Sequence, residues 1–179
     1  MTEGALVIEP MAGRHVEAVC SIDARCYSRP WSASTWRTEL ASADRYHLIG
    51  RIDDRVVGHA GSLLVVDELH ITTVAVDPGF EGRRHGSRLC VALLTAGRDL
   101  GAAAATLEVR AGDRRTQRLY TRLGFAPAGV RSGYYDHPVD DAVIMWLHGL
   151  GETESRERLA RVARELAVEI GDPNQGVSR

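Results

Sequence analysis

The sequence predicts a single mixed α/β (α+β) layer fold, in which a sheet is flanked by helices and carries antiparallel hairpins at both ends. Three observations predict it. The apolar spacing switches several times between a helical period of about 3.6 and a strand period of about 2. Turn residues (Gly, Pro, Asp, Asn) separate the segments at short intervals, with no internal repeat or low-complexity tract. The 179 residues, 44% hydrophobic and 26% charged, match one compact soluble domain that can bury its core without disulfides or a structural metal.

Residues 5–9 read as a first short strand. Val16, Val19, Cys20, Ile22 and Asp23 follow at helical spacing, and this helix ends near Cys26. A second helix begins after Pro30 and Trp31, with Ser32 as N-cap and Trp36 and Leu40 four apart on its buried face. The runs 46–52 and 56–66 are β-branched and surround Asp53-Asp54, a hairpin turn. A third run, 69–76, closes on Asp77-Pro78-Gly79.

Helical spacing returns over 84–100, and Gly101 stops it. A short strand over 105–110 precedes a helix capped by Asp113 and ended by Gly124. Segments 125–135 and 139–147 form a closing strand pair around His137-Pro138. Residues 152–170 place Leu159, Val162, Leu166 and Ile170 on one helical stripe, which either packs on its own domain or forms a homodimer or partner contact. The domain division is 1–149 for the main body and 150–179 for the C-terminal helix and a mobile tail over 171–179.

All 22 basic residues are arginine. A phosphate loop of the Gly-Lys-Ser/Thr kind and Schiff-base chemistry are therefore excluded. No Gly-x-Ser-x-Gly elbow or His-Glu-x-x-His pair occurs, and glycines 79, 82 and 86 lack dinucleotide-loop spacing. Cys20, Cys26 and Cys90 form neither a disulfide framework nor a metal pattern, and His15, His47, His59, His85, His137 and His148 lack metal-ligand spacing, so no metal is expected. The net charge of −2 gives no general attraction to nucleic acid. The start, MTEGALVIEP, lacks a basic segment leading into an apolar one, and no span of about 18 apolar residues exists. The expected location is cytoplasmic, away from the membrane.

The most informative stretch runs from Ile71 through Val76 and Asp77-Pro78 into Gly79-Phe80-Glu81-Gly82-Arg83-Arg84-His85-Gly86-Ser87, then a helix. Main-chain N–H groups at such a helix start lack intrahelical acceptors and, with the helix dipole, suit phosphate oxygens. The alternative is an ordinary strand-to-helix turn.

Val-Ala-Val-Asp-Pro with its loop, Thr106-Leu107-Glu108-Val109-Arg110, Leu119-Tyr120, Leu123-Gly124-Phe125, Tyr134-Tyr135 and Asp141-Ala142 occur in one order over residues 5–147. This ordered set resembles the GNAT N-acetyltransferases, and within them the RimI type that acetylates the N-terminal alanine of a small-subunit ribosomal protein. Cys26-Tyr27, Pro30-Trp31-Ser32 and Glu39-Leu40 resemble that subgroup's early helices. The resemblance implies the GNAT fold, a mixed and mostly antiparallel sheet of about seven strands flanked by helices, with acetyl-CoA as co-substrate. It implies that Val74, Ala75 and Val76 hold the pantetheine arm and acetyl carbonyl, and that Gly82, Arg83, Arg84, His85, Gly86 and Ser87 cradle the pyrophosphate. By the same resemblance Glu108 is the general base and Tyr120 the general acid, and Asp113 stands where a cofactor-contacting Asn is usual. The loop departs from the family pattern at Glu81 and at Arg84, where glycine is usual, so weakened or reoriented cofactor binding is expected.

The chemistry also stands on the residues. An amine attacks a thioester only when unprotonated, and an α-amine with pKa about 8 gives up its proton far more readily than a lysine near 10.4. Leu107 and Val109 point to the face opposite Glu108, so a desolvated carboxylate facing substrate is one reading and a surface glutamate is the other. Tyr120 lies at a reach that allows it over the strand end, as a proton donor or as a core tyrosine. An amide of Val76 or a neighbour would meet the oxyanion. Trp31, His70, Tyr134 and Tyr135 are candidates to line a slot for a peptide N-terminus, and Asp67, Glu68, Asp136, Asp140 and Asp141 would attract a basic tail such as a ribosomal protein carries. Two other functions remain open: acetylation of a small-molecule amine or protein lysine, and an acyl-CoA-responsive module without catalysis.

Overall fold

In the computed structural model, which describes residues 4–168, seven strands form one sheet. They are β1 (Leu6–Pro10), β2 (Arg45–Ile52), β3 (Arg55–Val65), β4 (Glu68–Val76), β5 (Ala104–Arg110), β6 (Ala126–Asp136) and β7 (Val139–His148), in the spatial order β1-β2-β3-β4-β5-β7-β6. Every neighbouring pair is antiparallel except β4–β5. The mixed sheet with hairpins at both ends is as the sequence predicts, and no helix among the described residues is long and apolar enough to cross a membrane.

The helices are α1 (Val16–Cys26), α2 (Ala33–Ala41), α3 (His85–Asp99), α4 (Arg114–Leu123) and α5 (Thr153–Glu165). Their ends follow local chemistry. Ser32 accepts from the Thr35 amide at 3.1 Å and Asp113 from the Thr116 amide at 2.9 Å, each satisfying a first-turn donor. Gly124 ends α4 at φ 106°, a conformation that only glycine adopts without strain. The expected hairpin turn at Asp53-Asp54 is present.

Two cores sandwich the sheet. Leu89, Val91, Leu93 and Leu94 of α3 pack with Leu107, Tyr120, Leu123 and Phe125 on one side, while Val16, Val19, Trp36 and Ile49 pack on the other. Leu159, Val162 and Leu166 join the first core, so the apolar stripe of the C-terminal helix is spent within the chain. That is the intramolecular outcome, and a second copy would have to use another surface. The helix is shorter than the 152–170 expected. It stops at Glu165, where the Ala167 and Val168 amides turn back to the carbonyls of Arg164 and Ala163, with Ala167 at φ 50° doing what glycine usually does. Ile170 and the expected tail lie outside the described residues.

The β3–β4 turn holds Val66 at φ 58° and 92% exposed. A β-branched residue is strained there and gains nothing from burial. Val66→Asn should stabilise the fold by about 1 kcal/mol, read as a rise in the urea unfolding midpoint at unchanged slope.

Beneath α1 and α2 lies a buried polar network. Asp23 accepts from Trp36 Nε1 at 2.9 Å with one oxygen and meets His59 Nε2 at 2.7 Å with the other. The Trp36 ring also meets His47 edge-on at 5.3 Å. Burial, then His59 and Arg45, lower the His47 pKa to about 4. His47 is therefore neutral when folded but protonated below about pH 6.5 when unfolded. Stability should fall as pH drops from about 6.5 to 4, by about 3 kcal/mol from this group, and His47→Met should flatten that slope in urea titrations.

Candidate active site

Strands β4 and β5 pair only through Glu68–Ala104, Leu69–Ala105 and His70–Thr106, and then part. The cause is local. Opposite the consecutive Gly61 and Ser62 of β3, strand β4 carries Ile71 and Thr73, so Thr72 is an extra residue, and such a bulge bends its strand. A wedge opens between the C-terminal halves of β4 and β5.

The Asp77 amide donates to the Val57 carbonyl at 2.8 Å, so beyond the bulge the odd-numbered backbone groups of β4 face β3. By alternation Val74 and Val76 turn theirs into the wedge, while the backbone of Ala75, paired with His59, does not. The end of α1 meets them there. Tyr27 donates its hydroxyl to the Val74 carbonyl at 3.0 Å, and the Cys26 thiol reaches the Val76 carbonyl at 3.3 Å. Burial, then the Asp23 carboxylate, push the Cys26 pKa up, so it stays a thiol and a donor. With both carbonyls engaged, the Val74 and Val76 amides are the donors directed into the wedge. Sequence reasoning quoted Cys26-Tyr27 without assigning them this position.

One face of the wedge opens on a cleft of about 370 Å³. Its walls include Val74, Val76, Gly82, Arg84, His85, Gly86, Ser87, Asp113 and Tyr120, most of the residues expected at the cofactor. Arg83 is not in this wall, and its guanidinium lies 5.4 Å from the Phe80 ring centre. Arg84 precedes α3 at φ 65° without a side-chain cap, so the backbone keeps the left-handed turn that the family's glycine would supply. The first amides of α3 consequently meet the cleft without a capping side chain. A Cβ at Gly86 would stand 3.6 Å from the Val76 side chain, and His85 is buried with both ring nitrogens lacking partners. A narrow donor-lined floor of this kind fits a diphosphate. The loop is tethered through Asp77, whose carboxylate accepts from the Gly79 amide, Arg55 and Arg25. Burial pushes the Asp77 pKa up, but these donors outweigh it and hold it below the usual value.

Tyr120 is 7% exposed, and burial followed by Cys90 and Tyr27 raises its pKa well above the ordinary value. It stays protonated at every physiological pH. Asp113 is both the α4 cap and part of the cleft wall.

Glu108 lies on the other side. Leu107 and Val109 enter the α3 core, so Glu108 projects from the face that α1 and α2 cover farther along the sheet. The desolvation expected for it is incomplete: its side chain is 30% exposed, with the Arg131 guanidinium 3.6 Å away. Tyr135 donates its hydroxyl to the Glu108 carbonyl at 3.4 Å and packs edge-on against Tyr134. The two tyrosines thus gather at Glu108. Trp31 packs at a tilt against Trp36, ring centres 4.9 Å apart, and His70 sits beside Glu68 and Trp146. Arg131 was not singled out by sequence reasoning, because nothing local marks a strand arginine that reaches across β7 to the strand beyond it.

Residues 16–125 match the model of the acetyltransferase (GNAT) family. The chain is 35% identical over 133 residues to the ribosomal protein bS18 alanine N-acetyltransferase of Salmonella typhimurium, covering 73% of this chain and 88% of that one. It is 32% identical over 120 residues to the N-alpha-acetyltransferase RimI of Mycobacterium tuberculosis, covering 65% and 74%. The crystal structure of the ribosomal-protein-S18-alanine N-acetyltransferase from Escherichia coli superposes with a TM-score of 0.75 at 27% identity, over 81% of this chain and 94% of that one. The chain belongs to the GNAT family of acetyltransferases, and within it is related to the ribosomal-protein alanine N-acetyltransferases.

Proposed function

We propose that this enzyme acetylates a protein α-amine, with the N-terminal alanine of a small-subunit ribosomal protein as the acceptor its relatives suggest. The single observation that carries the reading is the wedge, which has the donor-lined cleft and Tyr120 on one face and Glu108 with Tyr134 and Tyr135 on the other. Two reactants can meet there from opposite sides of the sheet, and positioning of that kind is itself a large part of catalysis.

Acetyl-CoA, held by the α3 amides with Arg84 and Ser87, supplies an acetyl thioester. Val74 and Val76 present backbone amides to its arm and to the carbonyl oxygen where negative charge develops. Glu108 takes the proton that the acceptor nitrogen loses as its bond to the acetyl carbon forms. Tyr120 gives a proton to the sulfur as the carbon–sulfur bond breaks. A direct transfer needs no enzyme nucleophile, and Cys90, buried with its thiol pushed up to about 12, is inert.

The acceptor is tested by incubating the protein and acetyl-CoA with N-terminal-alanine peptides, internal-lysine peptides, polyamines and aminoglycosides, and locating the acetyl group by mass spectrometry. Acetylation on the α-amine is expected. Modification confined to lysine or to the small amines would move the acceptor class, and acetyl-CoA binding without turnover on any acceptor would favour a non-catalytic, acyl-CoA-responsive module.

A further inference from the structure

A carboxylate beside an amine site has a drawback. Alone, it stabilises the ammonium form, which has no lone pair with which to attack. In this protein the carboxylate is not alone. Arg131 of β6 stands 3.6 Å from Glu108, and the same guanidinium lies 5.7 Å from the Tyr134 ring centre. The other charged groups on these strands keep their charge but have partners of their own, Asp141 with the Gly133 amide among them. Arg110 lies over Tyr135 and donates to the carbonyls of His137 and Pro138; Asp140 accepts from the Gly112 amide; and Asp136 pairs with Arg29. Tyr135, its pKa raised by burial and then by Tyr134, is neutral, as is a tyrosine in general near pH 7.

We infer that Arg131 is a positioning residue that acts through its charge: it offsets part of the field of Glu108 at the acceptor nitrogen, so that a larger share of the bound α-amine is the free base. The inference rests on the reading of Glu108 as the base. An amine hydrogen-bonded to the Oε1 atom of that carboxylate lies within about 7 Å of the nearest guanidinium nitrogen, inside the screening length of physiological salt. At that range a unit charge moves an amine pKa by roughly half to one unit. An α-amine of pKa about 8 kept from rising by that amount stays substantially neutral near pH 7.5.

The test compares wild type, Arg131→Gln, Arg131→Lys and Glu108→Gln with an N-terminal-alanine peptide that carries no other charge. In Arg131→Gln the acid limb of the kcat–pH profile should move up by roughly half to one pH unit, with kcat recovering by pH 9.5. Arg131→Lys should keep the wild-type limb. By calorimetry on protein loaded with coenzyme A, Arg131→Gln should bind the peptide about three- to tenfold more tightly than wild type at pH 6.5, and equally at pH 9.5. A uniform fall in kcat at every pH with unchanged peptide affinity would overturn the inference, leaving Arg131 as a shaper of β6. Wild-type rate and profile in Glu108→Gln would remove the base reading and this inference with it, and an absence of peptide binding by wild type and Arg131→Gln would do the same through the acceptor.

Discussion

Glu108→Gln should lower kcat on an N-terminal-alanine peptide by about 10²- to 10⁴-fold while the thermal unfolding midpoint stays near that of wild type. The substitution keeps the shape of a side chain that is 30% exposed and makes no hydrogen bond inside the core, so the fold has little to lose. On the mechanism proposed above, what it removes is the group that accepts the amine's proton. Raising the pH should recover part of the loss, because a larger share of the acceptor is then already neutral. Tyr120→Phe is the companion variant. It keeps the ring against Phe125, 5.7 Å away, and deletes the hydroxyl proposed to protonate the departing sulfur. A steady-state rate within threefold of wild type in either variant would remove that residue from its role.

Asp23→Ala should destabilise the protein by about 3 to 5 kcal/mol, the largest effect expected on stability. Asp23 is 2% exposed and serves Trp36 and His59, both fully buried. Truncation leaves the indole N–H and an imidazole nitrogen without a partner in a dry interior. Chemical denaturation measures this directly, and a loss below 1 kcal/mol would mean that water replaces the carboxylate. Activity should fall too, since α1 carries Asp23 and, at its end, the Cys26 and Tyr27 groups that engage β4.

Much of the fold was legible because its determinants are local. Ser32 and Asp113 cap the helices they precede, Gly124 ends one, and the strand runs alternate as half-buried strands do. Where a local rule is broken by the residue itself, reading failed: Ala167 ends α5 in a glycine's conformation, so the apolar pattern ran on past the true stop. Arg84 is the converse, since the family pattern asks for glycine there and the backbone at φ 65° shows why. The candidate site was legible where it is contiguous, as in residues 82–87. Tyr27 to Val74, Cys26 to Val76 and Arg131 to Glu108 were not, because each joins elements far apart along the chain, and no periodicity records such a meeting. Of the candidates to line an acceptor slot, Trp31 has Trp36 as its neighbour and His70 has Glu68 and Trp146.

Thr72 offers a lesson about tolerance. The gap in the sheet is produced by a count, one residue more on one strand than on its neighbour, and many side chains can occupy such a place. Variation in kind at this point should leave the enzyme working, whereas losing a single codon would let the two strands zip together and seal the reaction chamber in an otherwise intact protein. The width of that opening therefore rests on the number of residues in β4 more than on which residues they are.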